Sequence, residues 1–504
     1  MASKASLLQA GSASPFEPHG HGRNWLERLW SSIADRGRRF APIPAAHVPH
    51  LERARQLTQS LLSERGEASG AAIAKALLLA LKALDASERL QYYLFLAQNF
   101  SPDEAALSKA AEQYLKTRSQ EAAAALAQAS EPPRQEVLRR MNMAQGGTAL
   151  LVGLRRDLHT MIKSQPVLKL LDADLRHLFS SWFNRGFLEL RRIDWQTSAA
   201  VLEKLIAYEA VHEIQGWEDL RRRLAPDRRC FGFFHPALPD EPLIFVEVAL
   251  VSGLASSVQS LLERDTDEAK QIANASKADA AIFYSISNCQ DGLRGISFGN
   301  FLIKQVVDEL QVELPGIQHF ATLSPVPGFR SWLAPRLAAK ELPEIVLSVA
   351  EHQALLEAAS MPPEAAHAQD DIASALQALL SQDSWTKMPR SREALRPALL
   401  QLAAVYLTQA ARLKFPIDPV ARFHLGNGAR LERINWMANA NKAGLKESYG
   451  VMVNYLYDPV TIEENHEVFV RDQKVVHAKS VETLLEPPST TARPKLLRRH
   501  AAPR

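Results

Sequence analysis

Cysteine is almost missing from this sequence. Cys230 and Cys289 are the two among 504 residues, which excludes a disulfide-stapled scaffold and a cysteine-built metal site. An excess of one charge is missing too: Lys+Arg number 59 against 56 Asp+Glu, and a net +3 gives nucleic acid no electrostatic footprint. No apolar run reaches the roughly 20 residues of a membrane span. Even Ala71–Leu84 is broken by Lys75 and Lys82. There is no apolar core of a secretory signal, and the last residues, Ala501-Ala-Pro-Arg504, are not the peroxisomal Ser-Lys-Leu. No His, Cys, Asp and Glu spacing suits a metal ion, so no metal is expected. What is present is 46% apolar and 23% charged, ordinary for a globular chain with room for two or three domains. These features favour a cytoplasmic protein, bacterial rather than organellar, with neither nucleic acid nor membrane as partner.

The two ends, 1–49 and 486–504, read as tails rich in Pro, Ser and basic residues. Between them the pattern changes once. Residues 50–185 carry apolar side chains at helical spacing, as in Ala71–Leu84 and Arg89–Asn99, and predict a bundle of roughly six to eight helices. Ser101 is expected to cap one helix, Pro132 and Pro133 to open another, and Gly146-Gly147 to interrupt the next. From Gly186 the period becomes that of strands: Phe187–Ile193, Cys230–Phe234, Leu243–Leu250, Ala280–Ile286, Phe320–Leu323 and Val451–Tyr457. Helices are expected between them at Ala199–Ala207, Trp217–Leu224, Phe298–Glu309 and Leu431–Ala443. Residues 348–413 hold Ala/Leu helices without a strand, an expected helical insertion. The fold class is therefore a helical bundle followed by a mixed α/β domain over 186–485.

One segment suggests a ligand. The β-rich run Ala280–Ser287 leads into Asn288-Cys-Gln-Asp-Gly-Leu-Arg294-Gly295-Ile-Ser-Phe-Gly299-Asn-Phe-Leu302, and an amphipathic helix follows. A loop of this kind offers backbone N–H groups at a helix N-terminus, where an anion such as pyrophosphate is favoured. Gly295 and Gly299 let a phosphate approach the backbone without a Cβ in the way. Two glycines before a helix are also what a plain turn and cap would show.

Arg294, Gly295, Gly299 and Leu302 form Arg-Gly-x-x-x-Gly-x-x-Leu, which resembles the pyrophosphate loop of the GNAT superfamily of N-acetyltransferases. In that fold the loop cradles coenzyme A, so a CoA thioester becomes the leading ligand class. Longer motifs narrow the resemblance. Arg192-Ile-Asp-Trp195, Tyr208-Glu-Ala-Val-His212, Phe283-Tyr-Ser-Ile-Ser287, Leu323-Ser-Pro-Val-Pro-Gly-Phe329, Phe423-His-Leu-Gly-Asn-Gly-Ala429 and Tyr449-Gly-Val-Met-Val-Asn-Tyr455 are together similar to the malonyl-CoA decarboxylase family. The similarity is collinear from the helices after His50 to Asp458. It implies an N-terminal helical domain, a catalytic domain of acetyltransferase fold, and a homo-oligomer (dimer or tetramer) assembled through the helices.

The implied reaction takes malonyl-CoA to acetyl-CoA and carbon dioxide through a thioester enolate. It calls for hydrogen-bond donors at the enolate oxygen and a proton for C2. The thioester carbonyl is the electron sink, so no cofactor is expected beyond the coenzyme A of the substrate. The resemblance maps the catalytic serine, as proton acceptor, to Ser324 and the catalytic histidine, as proton donor, to His424, with Tyr457 as a third catalytic candidate and Ser285 beside the substrate. Read alone, Ser324 before Pro325 suits a turn, with Gly328 permitting a tight one, and His424 suits a satisfied buried residue. Arg294, Gly295, Ile296, Ser297, Phe298, Gly299 and Asn300 are the expected substrate-binding loop, joined by Ser285, Ser324 and His424. Ser297 departs from the pattern, because the family often has glycine there and the animal enzymes a glutamate in this loop. Two alternatives share the loop: an N-acetyltransferase, which leaves Ser324 and His424 unexplained, and a non-catalytic acyl-CoA sensor.

Overall fold

The computed structural model describes residues 32–45, 47–63, 66–209, 211–296, 302–362, 369–410 and 417–486. Their contacts cluster into two units. The first gathers the described residues of Met1–Glu189 with Phe234–Leu243 and Gln290–Phe298; the second gathers those of Leu190–Phe233, Ile244–Cys289 and Gly299–Arg504.

The first unit is helical: α1 His50–Ser63, α2 Glu67–Lys82, α3 Ala86–Asn99, α4 Glu104–Thr117, α5 Gln120–Ser130, α6 Pro133–Met143, α7 Gly147–Met161 and α8 Lys169–Trp182. Leu57, Leu77, Leu96, Leu138, Leu151 and Leu175, spaced along six of these helices, are wholly buried. Their amphipathic period supplies the core. Pro132 and Pro133 open α6 and Gly146-Gly147 separates α6 from α7, as expected. Ser101 is not the cap of α4. Asp103 is, its carboxylate accepting the Ala106 N–H, while the Ser101 hydroxyl turns back to the Ala97 carbonyl. A carboxylate beside the positive helix end outcompetes a hydroxyl two residues earlier.

The second unit is built on an eight-stranded mixed sheet of β1 Glu189–Ile193, β2 Arg228–Phe234, β3 Ile244–Val251, β4 Ala280–Asn288, β5 His319–Thr322, β6 Ser324–Pro325, β7 Arg430–Asn435 and β8 Met452–Tyr457. The order is β1-β2-β3-β4-β5-β8-β6, with β7 also on β8. β4 and β5 run parallel, while β2–β3, β3–β4 and the pairs of β8 with β5, β6 and β7 are antiparallel. β5 and β6 are successive pieces of one interrupted edge on β8: Phe320 pairs with Tyr457 and Ser324 with Val453. The β4–β5 ladder ends at Phe283 and Thr322, with Leu323 N–H on the Phe283 carbonyl at 2.9 Å, whereas β4 runs on against β3 to Asn288.

Around the sheet lie α9 Ala199–Tyr208, α10 Trp217–Arg223, α11 Val258–Leu262, α12 Glu268–Lys277, α13 Leu302–Glu313, α14 Phe329–Ala339, α15 Val349–Ala358, α16 Gln369–Leu380, α17 Pro389–Thr408, α18 Pro419–Gly426, α19 Lys442–Ser448, α20 Ile462–Asp472 and α21 Lys479–Leu485. The first strand starts at Glu189 rather than Phe187, which sits in a short 3-10 turn. The expected helix Leu431–Ala443 is wrong: Arg430–Asn435 is strand β7, and the helix there begins at Lys442. Leu431 and Ile434 are buried three residues apart, a helical spacing. A bulge between Leu431 and Arg433 shifts the strand's parity and accommodates that spacing.

Candidate active site

Ser324, His424 and Tyr457 are brought together although they come from different parts of the chain. Ser324 Oγ lies 2.9 Å from His424 Nε2, and His424 Nδ1 lies 2.8 Å from the Tyr457 hydroxyl. All three are buried, with Ser324 5%, His424 3% and Tyr457 1% exposed. The Ser324 hydroxyl also reaches Thr322 Oγ1 at 2.9 Å, and that oxygen accepts the Tyr455 N–H. With Tyr457 donating to Nδ1, the chain of donors runs one way, Tyr457 to His424 to Ser324 to Thr322.

Local sequence explains each placement. Pro325 has no N–H, so the strand that carries Ser324 ends at once. Gly328 is needed for space, not for an unusual φ: its φ is −85°, but a Cβ would come within 2.1 Å of the Tyr406 hydroxyl. Asp418 ties the two reactive segments together. One oxygen accepts the Gly328 N–H and the Tyr406 O–H, and the other caps α18 through Val420 and Ala421. His424 sits in the last turn of that short helix, its ring stacked 4.7 Å from Tyr455. The chain then turns at Gly428, where φ is +82° and a Cβ would meet the Ile462 carbonyl at 2.0 Å. Asn427 closes the helix end by donating to the Phe423 carbonyl.

Burial sets the electrostatics. Desolvation pushes His424 down to about 3, so the ring is neutral at neutral pH, and it raises the Tyr457 hydroxyl well above the usual phenol range. Ser285 lies apart from this chain of bonds. Its hydroxyl donates to both oxygens of Glu209, at 2.7 and 2.9 Å, and Ser287 reaches the same carboxylate. Glu209 also accepts the N–H groups of Val211 and His212 at 2.7 Å, pinning that turn to β4. Beneath it, burial first of all, with Glu209 adding, raises the Glu247 carboxyl to about 7 against the opposing pull of Arg223.

Of the expected binding loop, Arg294, Gly295 and Ile296 are described and cluster with the helical unit. Ser297, Phe298, Gly299 and Asn300 lie outside the described residues. Arg294 is exposed and pairs with Asp291; Gly295 has φ +77°; Ile296 is buried. Arg155 of α7 steadies this stretch: its Nη1 donates to the carbonyls of Gly292 at 2.8 Å and Arg294 at 2.9 Å, while Nε holds Asp172. Gly292 packs so closely that a Cβ would lie 2.0 Å from the Val152 carbonyl. Among other basic side chains, Lys304 of α13 pairs with Glu463 and Arg330 of α14 lies over the Tyr449 ring. Asp418, Thr322, Glu209 and Arg155 are the site residues that sequence reasoning missed, since each acts through a contact distant in the chain.

Comparison with known proteins gives one answer. The family model for the malonyl-CoA decarboxylase C-terminal domain matches residues 186–495, and that for the N-terminal domain matches residues 100–183. The chain is 39% identical over 386 residues to the mitochondrial malonyl-CoA decarboxylase of Anser anser anser, covering 74% of each chain. It is 36% identical over 392 residues to that of Rattus norvegicus, covering 74% of this chain and 77% of the other. The crystal structure of malonyl-CoA decarboxylase from Rhodopseudomonas palustris is 46% identical with a TM-score of 0.73, and that from Agrobacterium vitis is 46% identical with 0.74; each comparison covers 86% of this chain and 99% of the other.

Proposed function

The chain belongs to the malonyl-CoA decarboxylase family, and from that membership we propose that it is a carboxy-lyase converting malonyl-CoA to acetyl-CoA and carbon dioxide through a thioester enolate. The observation that carries the mechanistic reading is the buried chain Ser324–His424–Tyr457, with contacts of 2.9 and 2.8 Å.

In this reading the substrate carboxylate comes to lie beside Ser324 and the Nε2 of His424. An anion placed there favours the imidazolium that burial otherwise disfavours, so His424 takes up a proton as substrate binds. Its Nδ1–H then donates to the Tyr457 oxygen. Ser324 hydrogen-bonds the carboxylate and holds it out of the thioester plane; a hydroxyl is too weak a base for more. The bond between C2 and the carboxylate carbon breaks, its electron pair passes to the thioester oxygen, and carbon dioxide departs. The enolate returns the pair to C2, which takes the Nε2 proton, giving acetyl-CoA. One proton is consumed per turnover.

The loop Arg294–Asn300 is proposed to hold the pyrophosphate of coenzyme A, no separate cofactor is needed, and Ser285 lines the thioester under the control of Glu209. Assembly as a homo-oligomer through the helical unit and a cytoplasmic location remain part of this proposal. No helix among the described residues is long and apolar enough to cross a membrane.

The test is direct. Purified protein is mixed with malonyl-CoA, without metal or acceptor amine, and acetyl-CoA and carbon dioxide are followed. Equal yields of both are expected. Binding without turnover would instead indicate a sensor, and release of free CoA on adding an amine would indicate an acetyltransferase.

A further inference from the structure

A cavity of about 880 Å³ opens in the sheet unit, within the roughly 300–1,000 Å³ of small-molecule sites. Its wall runs from the end of β1 at Arg192–Trp195 through α10 and the start of β2 to Arg264–Gln271. The sheet register separates it from Ser324. Arg228 of β2 pairs with Ala249, and Ala249 with Ile282 near the start of β4. Ser324 is paired to β8, and β3, β4 and β5 stand between β2 and β8 in the strand order.

Two guanidinium clusters on this wall carry excess positive charge. Arg222 and Arg228 share the single carboxylate of Asp227, and Arg192 and Arg229 share that of Glu313. Arg228 is 4% exposed, its Nη1 and Nη2 occupied by Asp227 and the Leu261 carbonyl, yet its Nε–H has no acceptor. That atom is closed to solvent, so the accessible part of the clusters is the Arg192 guanidinium, and phosphate oxygens match guanidinium groups in charge and geometry. The other charges on the wall are largely matched: Arg264 with Asp219, Arg221 with Glu218, and Asp265 with Lys270. Asp194, which accepts the Gln196 N–H, and Glu268, in the first turn of α12, have no ion pair among the described residues. They offset the two extra guanidinium charges over the whole wall, so the positive excess is local to the two clusters. Beside the clusters Trp195 is 47% exposed, with the Arg221 guanidinium 5.8 Å from its ring centre. A half-exposed indole on a cavity wall is a platform for a planar ring.

We infer that this cavity is a second ligand site that takes a nucleoside diphosphate, its base on Trp195 and its phosphates on the paired arginine clusters. The cavity stands apart from the Ser324–His424 centre and shares no lining residue with it.

The test is calorimetric titration of the full-length protein with ADP, pyrophosphate and adenosine, in wild type, Trp195→Ala and Arg192→Gln. Both substituted side chains are partly exposed, and malonyl-CoA turnover serves as the folding control. Saturable ADP binding is expected, weakened about tenfold or more in each variant, the size of a lost base–aromatic stack or phosphate contact. Pyrophosphate should lose affinity in Arg192→Gln but not in Trp195→Ala, and adenosine should bind far more weakly than ADP. Excess malonyl-CoA should leave ADP bound. Absence of saturable ADP binding, equal binding of adenosine, indifference to both substitutions, or displacement by malonyl-CoA would each overturn the inference.

Discussion

Ser324 and His424, 100 residues apart in the chain, meet through a 2.9 Å contact between Oγ and Nε2. Neither side chain reaches that position by itself. Asp418 bonds the Gly328 N–H on one side and caps the helix of His424 on the other, so one carboxylate sets the spacing of both.

Ser324→Ala and His424→Asn should each lower kcat by about 10²- to 10⁴-fold, the usual worth of a positioned proton-transfer group. Affinity for a non-hydrolysable CoA thioester should change little. Steady-state kinetics and calorimetric titration check this, and unchanged kcat in both variants removes the site assignment.

Tyr457→Phe deletes the hydroxyl 2.8 Å from His424 Nδ1 and leaves a buried nitrogen without a partner. A stability loss of about 1–3 kcal/mol is expected from that unpaired group. A lowered kcat should accompany it, with the acidic limb of the kcat profile displaced, since the imidazolium proposed for turnover would lose its acceptor. An identical pH profile would confine Tyr457 to a packing role.

Asp418→Asn keeps the shape and removes the charge that accepts from Gly328, Tyr406 and the start of α18. The expected result is a kcat loss larger than the KM change, because spacing rather than binding is disturbed. Denaturant unfolding should show a loss of about 1–3 kcal/mol.

Acid should weaken the fold through His424. Burial holds it at about 3 against an ordinary 6.5, so the unfolded chain takes up the proton first. Its contribution is fully present above pH 6.5 and is lost on acidification towards 3, at a slope of up to about 1.4 kcal/mol per pH unit. His212, pushed down to about 4 by burial and then by Arg223, acts with the same sign. Glu247 opposes both: raised from 4.5 to about 7, it favours the fold below pH 4.5 and loses that contribution as pH rises through 7. Denaturant midpoints measured from about pH 3 to about pH 7, the range spanned by these shifts, should show a shallower acid loss in His424→Asn and a smaller decline towards neutral pH in Glu247→Gln.

Arg155→Gln removes the donor to the Gly292 and Arg294 carbonyls. On the proposal that this stretch carries the coenzyme A loop, KM for malonyl-CoA should rise about tenfold or more with kcat nearly kept, since two charge-assisted hydrogen bonds are lost. Gly299→Val should weaken binding by crowding the same loop.

The order of helices followed by strands was readable because amphipathic period is local, and α2, α3, β3 and β4 fall close to where their side chains suggest. Strand β7 was not, because a bulge disguised Leu431 and Ile434 as one helical face. Ser324, His424 and Tyr457 were singled out through the family resemblance rather than through spacing. Glu209, Asp418 and Arg155 gave no local sign: a buried carboxylate that gathers N–H groups from a distant segment looks, in sequence, like any surface acid.

Arg155 also bears on where this enzyme can be divided. The family domains meet between residues 183 and 186, yet the stretch Gln290–Ile296 clusters with the helices, its Gly292 and Arg294 carbonyls held by a guanidinium from α7. The seam in ancestry is therefore not a seam in mechanics. A gene trimmed to its C-terminal family domain would retain Ser324 and His424 and discard Arg155, leaving the Gly292 and Arg294 carbonyls without the guanidinium that holds them.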